Sequence, residues 1–258
     1  MTTLSARRRR VRRRIRITGW SALTSLLVTA IGFLTWFHIV FPADRDATLE
    51  VYRDDRVVVT PMDGVIVMSS TSQVSTTGLL VFPGARVDPF AYLHPFVDIA
   101  ATGTTVTVVD PLFNMALFDQ RSMDELTSHS PSISQWVVAG HSLGGVKACM
   151  EADNDQVAGL LLFASYCAND VSGLDIAVVE VLAAQDGLID TDASRQAQGN
   201  LPEGFVTLTL DEANHASFGT YGPQPGDGVS TLDRDDMRQT MNEVWDQVLS
   251  HPRGSLAQ

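Results

Sequence analysis

The sequence predicts an α/β protein with a doubly wound, mostly parallel sheet, and three observations support this prediction. Residues 47–258 are numerous enough for one sizeable hydrophobic core. Short apolar runs alternate there with stretches that suit helices, which is the order of a sheet covered by helices on both faces. Several runs are unbroken in Val, Leu and Ile rather than alternating, as expected for parallel strands buried on both sides.

Eight strands and five helices follow from this pattern. An antiparallel opening pair is predicted over 57–60 and 64–68, and inner strands over 78–82, 105–109, 135–139, 159–163, 177–182 and 206–210. Helices are predicted over 89–100, 121–128, 143–152, 192–198 and 232–250. Pro89 behind Asp88 is a favourable start for the first helix, because Pro suits the first helical position and Asp caps it.

The N-terminal segment has the pattern of a single membrane anchor. Residues 1–17 hold eight arginines and no acidic residue, and an uncharged span follows over 18–43. Its apolar core can cross about 30 Å of hydrocarbon as a helix, and aromatic residues lie near both of its borders, as at membrane interfaces. The positive-inside rule then places 1–17 in the cytoplasm and the domain 47–258 outside it, in a single-pass arrangement.

Two alternatives compete with the anchor. A cleavable signal peptide is one, although the apolar stretch is longer than the usual 7 to about 15 residues and no Ala-x-Ala follows it. A basic arm that binds nucleic acid beside a buried helix is the other. The net charge of −12 is unevenly distributed, because the part after residue 43 has ten basic and thirty acidic residues. An acidic domain of this kind disfavours nucleic acid as its partner.

The segment VVAGHSLGGV at 137–146 predicts a nucleophile. It is an apolar strand end, then Gly-x-Ser-x-Gly, then a run that suits a helix, which is the context of a nucleophile elbow. Only small residues fit two positions either side of a serine in so tight a turn. The strand–turn–helix order lifts the hydroxyl of Ser142 clear of the sheet, so Ser142 is the predicted nucleophile.

A serine nucleophile needs a base, and the base needs an orienting acid. Of the six histidines, His215 is the best placed, since it lies in the loop directly after the last predicted strand. Asp186 follows the strand 177–182 at the same edge, which gives the chain order Ser, Asp, His. Asp190 or Asp192 is the alternative acid. The remaining histidines lie elsewhere: His38 in the span, His251 near the end, His94 and His129 before the nucleophile, and His141 beside Ser142 in a turn expected to point it away.

The tetrahedral intermediate of acyl transfer needs two N–H donors for its oxyanion. Leu143 supplies one from the start of the helix. The other is expected from the loop after the strand 78–82, where we favour the amide of Ala85 beside Gly84. Arg86 in the same loop is interpreted as pairing with Asp88, and attraction of an anionic substrate is the alternative.

Six motifs together resemble the alpha/beta-hydrolase fold, and the resemblance covers nearly all of residues 49–249. The motifs are PGARVDPFAYLHP, VVDPLFNMALF, GHSLGG, LFASYC, QDGLID and NHASFGTYGPQPGDG. More narrowly they are similar to membrane-anchored or secreted alpha/beta hydrolases related in shape to dienelactone hydrolases. The resemblance implies Ser142 as nucleophile, Asp186 as acid and His215 as base. Dienelactone hydrolases have a cysteine nucleophile where this chain has serine, so their substrate is not carried over.

The predicted function is a membrane-anchored serine hydrolase of a small ester, thioester or lactone. An acyltransferase, a peptidase or a non-catalytic binding domain on the same fold are alternatives. No cofactor and no metal are implied, since the GDG at 226–228 lacks calcium-loop spacing and is interpreted as a turn. The 164–176 connection is too short for a large lid, which favours an open site. Cys149 and Cys167 either form a disulfide or remain buried thiols, and the oligomeric state is unknown.

Overall fold

The computed structural model describes residues 3–37 and 39–250, and the chain divides into two units between Ile39 and Val40. The first unit is one helix, α1 (Thr3–Phe37), of 35 residues. Its stretch Arg9–Thr35 is long and apolar enough to cross a membrane, and none of it is buried. A fully exposed apolar helix is what a membrane span looks like outside its bilayer, although a signal sequence has the same composition.

The second unit is built on one sheet of eight strands in the order β1-β2-β4-β3-β5-β6-β7-β8. The strands are β1 (Val57–Met62), β2 (Val65–Ser70), β3 (Thr77–Phe82), β4 (Thr105–Val109), β5 (Gln135–His141), β6 (Val157–Phe163), β7 (Ala177–Ala183) and β8 (Val206–Leu210). β2 pairs antiparallel with β1 and β4, and every other neighbouring pair is parallel. The predicted doubly wound, mostly parallel sheet is confirmed, including its antiparallel opening.

Six helices accompany the sheet: α2 (Arg45–Arg53), α3 (Leu93–Ala101), α4 (Met123–Thr127), α5 (Leu143–Glu151), α6 (Thr191–Ala197) and α7 (Arg234–Ser250). The predicted helix over 89–100 begins as a 3₁₀ turn, Pro89–Tyr92, which Asp88 caps by accepting the Phe90 amide. α2 was not predicted from the sequence. Its N-cap is Asp44, whose side chain accepts from the Ala47 amide.

Two hydrophobic clusters fill the space on the two faces of the sheet, because consecutive strand residues point to opposite sides. Leu79 and Val81 of β3 belong to the cluster that α3 and α7 cover, whereas Leu80 and Phe82 belong to the one that α4 and α5 cover. All four side chains are fully buried. This two-sided burial explains why the strand sequences are unbroken apolar runs.

Cys149 of α5 and Cys167, which follows β6, form a disulfide with a Cα–Cα distance of 5.5 Å. The alternative of two free thiols is thereby wrong for this structure. The bond ties the elbow helix to the loop that leaves the neighbouring strand, and it is buried in the second hydrophobic cluster. A disulfide is compatible with an oxidising compartment outside the cytoplasm.

Replacing both cysteines by alanine is expected to lower the free energy of unfolding by about 2–4 kcal/mol, because the bond closes a loop between residues 18 positions apart and so restricts the unfolded chain. The measurement is urea unfolding with and without a reductant. Reductant should destabilise the natural protein and leave the double variant unchanged. If reductant has no effect on the natural protein, the bond is absent in solution.

Candidate active site

Ser142 lies where β5 turns into α5, with φ 53° and ψ −125°. A non-glycine residue in this region is strained, and such strain is typical of a nucleophile elbow. The conformation is held by hydrogen bonds at both ends of the residue: its amide donates to the Phe163 carbonyl at 3.0 Å, and its carbonyl accepts from the Ser165 hydroxyl at 2.6 Å. The Ser142 side chain is therefore presented at the carboxyl edge of the sheet by fixed backbone.

The glycines around Ser142 allow the tight approach that the turn requires. A Cβ atom on Gly140 would collide with the backbone of Gly144, and one on Gly144 would collide with the backbone of Phe82 in the neighbouring strand. Neither obstacle is a flexible side chain that could move away. The Gly-x-Ser-x-Gly pattern is thus explained by packing between β3, β5 and α5, as predicted.

His215 and Asp186 are brought together by loops that follow β8 and β7. The Nδ1–H of His215 donates to Asp186 Oδ2 at 2.7 Å, and both side chains are almost fully buried. The other Asp186 oxygen accepts from the amides of Leu188 and Ile189 at 2.8 and 2.9 Å. Burial acts to raise the pKa of Asp186, but these three donors outweigh it and lower the pKa below its ordinary value. Asp186 is therefore ionised at neutral pH and holds one tautomer of His215.

The two alternative acids have other partners. Asp190 is the N-cap of α6 and accepts from the amides of Asp192 and Ala193, both at 3.0 Å. The Asp192 carboxylate lies 2.8 Å from Arg195 on the same helix. Among the described residues, the carboxylate bonded to the imidazole ring of His215 is that of Asp186.

A cavity of about 360 Å³ joins these groups. Ser142, His215, Leu143 and Ala85 all line it, together with Gly84, Val87, His141, Val146, Ala164, Ser165, Tyr166, Leu188, Ile189, Asp190 and Gln224. Within the described part of the chain, the amides of Ala85 and Leu143 have no hydrogen-bond acceptor. Two unpartnered N–H groups beside a serine are what an oxyanion requires. The Ser142 hydroxyl and His215 share the cavity without a hydrogen bond between them, a separation that empty active sites often close on binding substrate.

His141 belongs to this site, contrary to the expectation that the turn points it away. It is buried, and its ring centre lies 4.7 Å from that of His215. The Gly84 amide donates to the Tyr92 hydroxyl at 2.9 Å, and Tyr92 donates to His141 Nδ1 at 2.8 Å. His141 Nε2–H then donates to the His215 carbonyl at 3.0 Å. This chain of bonds connects the loop of Ala85 with the loop of the histidine.

A second connection is made by Asp227 of the GDG segment. Its carboxylate accepts from the amides of His215, Ala216 and Gly187 at 3.2, 3.0 and 3.1 Å, and from the adjacent Gly228 amide at 2.8 Å. Gly187 directly follows Asp186, so one carboxylate holds the loop of the acid and the loop of the histidine in register. The interpretation of this segment as a turn beside the base is supported, and its organising role was not foreseen.

One group of side chains has the spacing of metal ligands, and it lies apart from the site. Atoms of Glu50, His94 and Asp235 fall within 4.8 Å of one another. The Glu50 carboxylate also lies 3.1 Å from Arg234 and 3.5 Å from Arg238, whose guanidinium is 3.8 Å from Asp235. Because Glu50 already pairs with Arg234 and Arg238, and Asp235 with Arg238, we interpret the cluster as an ion-pair network between α2, α3 and α7.

Burial lowers the pKa of His94 and lowers that of His141 far more strongly, with repulsion from His215 adding to the effect on His141. Both are neutral in the folded state at pH values where the unfolded chain, with an ordinary pKa of about 6.5, is protonated. The unfolded state then binds more protons, so we expect the free energy of unfolding to fall as pH drops below about 6.5, by at most about 1.4 kcal/mol per pH unit for each group.

Urea unfolding at pH 7.5, 6.5 and 5.5 measures this slope. His94→Met should make the slope smaller, because a buried imidazole with a lowered pKa is removed, whereas His129→Gln, at an exposed loop position, should leave it unchanged. Carboxylates with a lowered pKa, such as Asp186, titrate below this range. Burial raises the pKa of Glu180 and of Asp110, but both residues are present in all three proteins, so their contribution cancels when the slopes are compared. Equal slopes in all three proteins would contradict the prediction.

The sheet is mostly parallel, and a strained serine lies at a strand-to-helix elbow with a histidine and a carboxylate at the same edge. This combination defines the hydrolase class of α/β folds. The sequence agrees: the model of the alpha/beta hydrolase family matches residues 78–239, and the chain belongs to this family. No curated protein sequence matches it.

Two solved structures share the fold. A protein described as a predicted CIB-like hydrolase from Thermoplasma acidophilum is 14% identical, with a TM-score of 0.53 over 74% of this chain and 98% of its own. TT1662 from Thermus thermophilus is 13% identical, with a TM-score of 0.54 over 76% of this chain and 100% of its own. At such identities the likeness establishes the fold alone.

Proposed function

We propose that this protein is a membrane-anchored, extracytoplasmic serine hydrolase that cleaves a carboxylic ester, thioester or lactone through an acyl-enzyme. The observation that carries the proposal is the shared cavity of Ser142, His215 and two unpartnered amides, with His215 bonded to Asp186 at 2.7 Å. The membrane-anchoring part of the proposal rests on the exposed apolar stretch of α1 and its arginine-rich start.

In the proposed reaction, His215 Nε2 accepts the Ser142 proton while Oγ bonds to the acyl carbon. The carbonyl π electrons move to oxygen, and the amides of Leu143 and Ala85 stabilise the resulting oxyanion. Collapse of this intermediate breaks the bond to the leaving group, which takes the proton from His215. Water then attacks the acyl-enzyme by the same sequence and releases the acid. Asp186 stabilises the imidazolium formed in each half-reaction.

A fluorophosphonate probe tests the proposal, because its phosphorus is attacked by an activated serine and forms a stable adduct. We expect one adduct per chain, located on Ser142 by mass spectrometry of the digested protein, and none in Ser142→Ala. Ser172→Ala, a substitution at an exposed serine bonded to Asp170, is the matched control and should label normally. An unlabelled natural protein, or equal labelling of Ser142→Ala, would falsify the proposal.

An acyltransferase or a peptidase would use the same groups. An acyltransferase would pass the acyl group to an alcohol or amine in place of water, and a peptidase would cleave an amide in place of an ester. Adding alcohol and amine acceptors to the ester assay should leave acid as the main product, and peptide amides should be cleaved far more slowly than esters.

We expect short acyl esters, of about C2 to C6, to be hydrolysed with a higher kcat/KM than those of C12 or longer. The connection between β6 and β7 contains no helix and so forms no cap over the 360 Å³ cavity, and we expect long chains to remain largely in water. Each buried methylene would otherwise add about 0.8 kcal/mol of binding. A p-nitrophenyl ester series measures this, and a steady rise through C12 to C16 would reveal an apolar channel.

A further inference from the structure

The loop that carries Ala85 is bound to the segment that leads into the domain from α1. The loop, residues 83–88, is called the oxyanion loop below. Phe41 forms a parallel bridge with Val87: the Phe41 amide donates to the Arg86 carbonyl at 2.7 Å, and its carbonyl accepts from the Asp88 amide at 3.0 Å. Phe41 is thus hydrogen-bonded through its backbone to Arg86 and Asp88, on either side of Val87.

Arg86 is the residue in this loop that needs such support. Its φ of 61° lies in the left-handed region, which is unfavourable for a residue with a side chain. Its amide donates to the Asn114 carbonyl at 2.7 Å. Its guanidinium carbon lies 5.5 Å from the centre of the Phe41 ring. The unfavourable conformation next to Ala85 is therefore held by contacts from outside the loop.

The same upstream segment contacts the loop that follows His215. The rings of Phe41 and Tyr221 are 6.1 Å apart, and the Asp44 amide donates to the Thr220 carbonyl at 2.6 Å. Tyr221 in turn packs 6.2 Å from the ring of His141. Phe41 accordingly contacts both the oxyanion loop and the loop that follows the proposed base.

From these contacts we infer that Phe41 is a positioning residue of the oxyanion loop, an inference that rests on the proposed function. When the Phe41 ring no longer packs against Arg86 and Tyr221, the oxyanion loop can relax toward more favourable backbone angles, which shifts the Ala85 amide away from the oxyanion. An oxyanion donor acts on the transition state and not on the bound substrate, so its loss lowers kcat. A consequence is that removal of the N-terminal segment beyond Phe41 would impair the site.

The test uses the full-length protein in detergent with a short ester. Phe41→Ala should lower kcat by about 10- to 100-fold, which is the range expected for a misplaced oxyanion donor, with KM within about twofold. The inhibition constant of a trifluoromethyl ketone, whose serine adduct carries an oxyanion, should rise in parallel. Both substitutions at position 41 keep the backbone bonds, and Phe41→Leu, which also keeps a large apolar side chain, should retain more activity. Tyr52→Ala, on the exposed side of α2, is the control and should behave like the natural protein.

A second variant separates positioning from general destabilisation. Glycine adopts a positive φ readily, so Arg86→Gly should make the loop less dependent on Phe41, and the loss caused by Phe41→Ala should be smaller in that background. An unchanged kcat and an unchanged inhibition constant in Phe41→Ala would overturn the inference. It would also be overturned if Phe41→Ala lowered kcat equally with Arg86 and with Gly at position 86, and lowered the unfolding temperature as well. If the natural protein itself fails to react with the fluorophosphonate, the proposed function falls; if it reacts normally, these outcomes concern Phe41 alone.

Discussion

Ser142→Ala is expected to lower kcat by at least about 10³-fold, the largest effect of any single change in the chain. The substitution removes the atom that would attack the acyl carbon and leaves the strained backbone at φ 53° in place. Residual activity would come from the amides of Leu143 and Ala85 and from substrate binding, since an oxyanion site retains some catalysis without its nucleophile.

His215→Ala should lose a similar factor, because without the base the serine hydroxyl keeps its proton. The double variant should be scarcely worse than either single one, since the three groups act as a unit. The measurement is kcat on a p-nitrophenyl ester, with Ser172→Ala as control. If the fold-loss in kcat of the double variant equalled the product of the two single losses, Ser142 and His215 would not act in one step.

The second large effect is expected for Asp186→Asn, with a loss in kcat of about 10²- to 10⁴-fold. The amide nitrogen of asparagine cannot accept the Nδ1–H of His215, so the substitution favours the wrong tautomer and leaves the imidazolium without its counter-charge. The Leu188 and Ile189 amides, which now donate to the carboxylate, can still bond to the remaining oxygen. The loop should therefore keep its shape while the reaction slows.

Asp190→Asn is the matched comparison. Asparagine caps a helix about as well as aspartate, so α6 should keep its start, and the charge is removed from the same cavity wall. We expect Asp190→Asn to retain activity within a few-fold. If it lost the activity while Asp186→Asn kept it, the assignment of the acid would be wrong in spite of the 2.7 Å contact.

The sequence alone was sufficient for the sheet, and it also indicated the groups that we propose to be catalytic. Strands buried on both faces are apolar at most positions, so several of β3 to β7 were recognisable as apolar runs, and the eight predicted strands match the observed ones to within a few residues. Ser142 was recognisable because its strained turn leaves no room for side chains at Gly140 and Gly144. Asp186 and His215 were recognisable because each directly follows a strand at the same edge.

What the tertiary structure decided was how separate loops hold one another. His141, Tyr92 and Asp227 connect segments that are far apart in the chain, and their bonds go mainly to backbone atoms, which leave no residue-type signal in the sequence. The short helix α2 was missed because its stability depends on burial of Ala47 and Val51 against the core and not on a long periodic pattern.

For the same reason, the sequence could not predict the disulfide or the role of the segment around Phe41 that follows α1. Two cysteines beside one strand–helix unit can pair or stay apart, and the 5.5 Å between the Cα atoms of Cys149 and Cys167 is a property of the packed fold. The sequence marked residue 47 as the start of the domain, whereas the compact unit begins at Val40. Local sequence determined which elements form, because propensity and burial pattern are local; the contacts that align the oxyanion loop with the histidine depend on chain segments meeting in space, as Phe41 meets Val87.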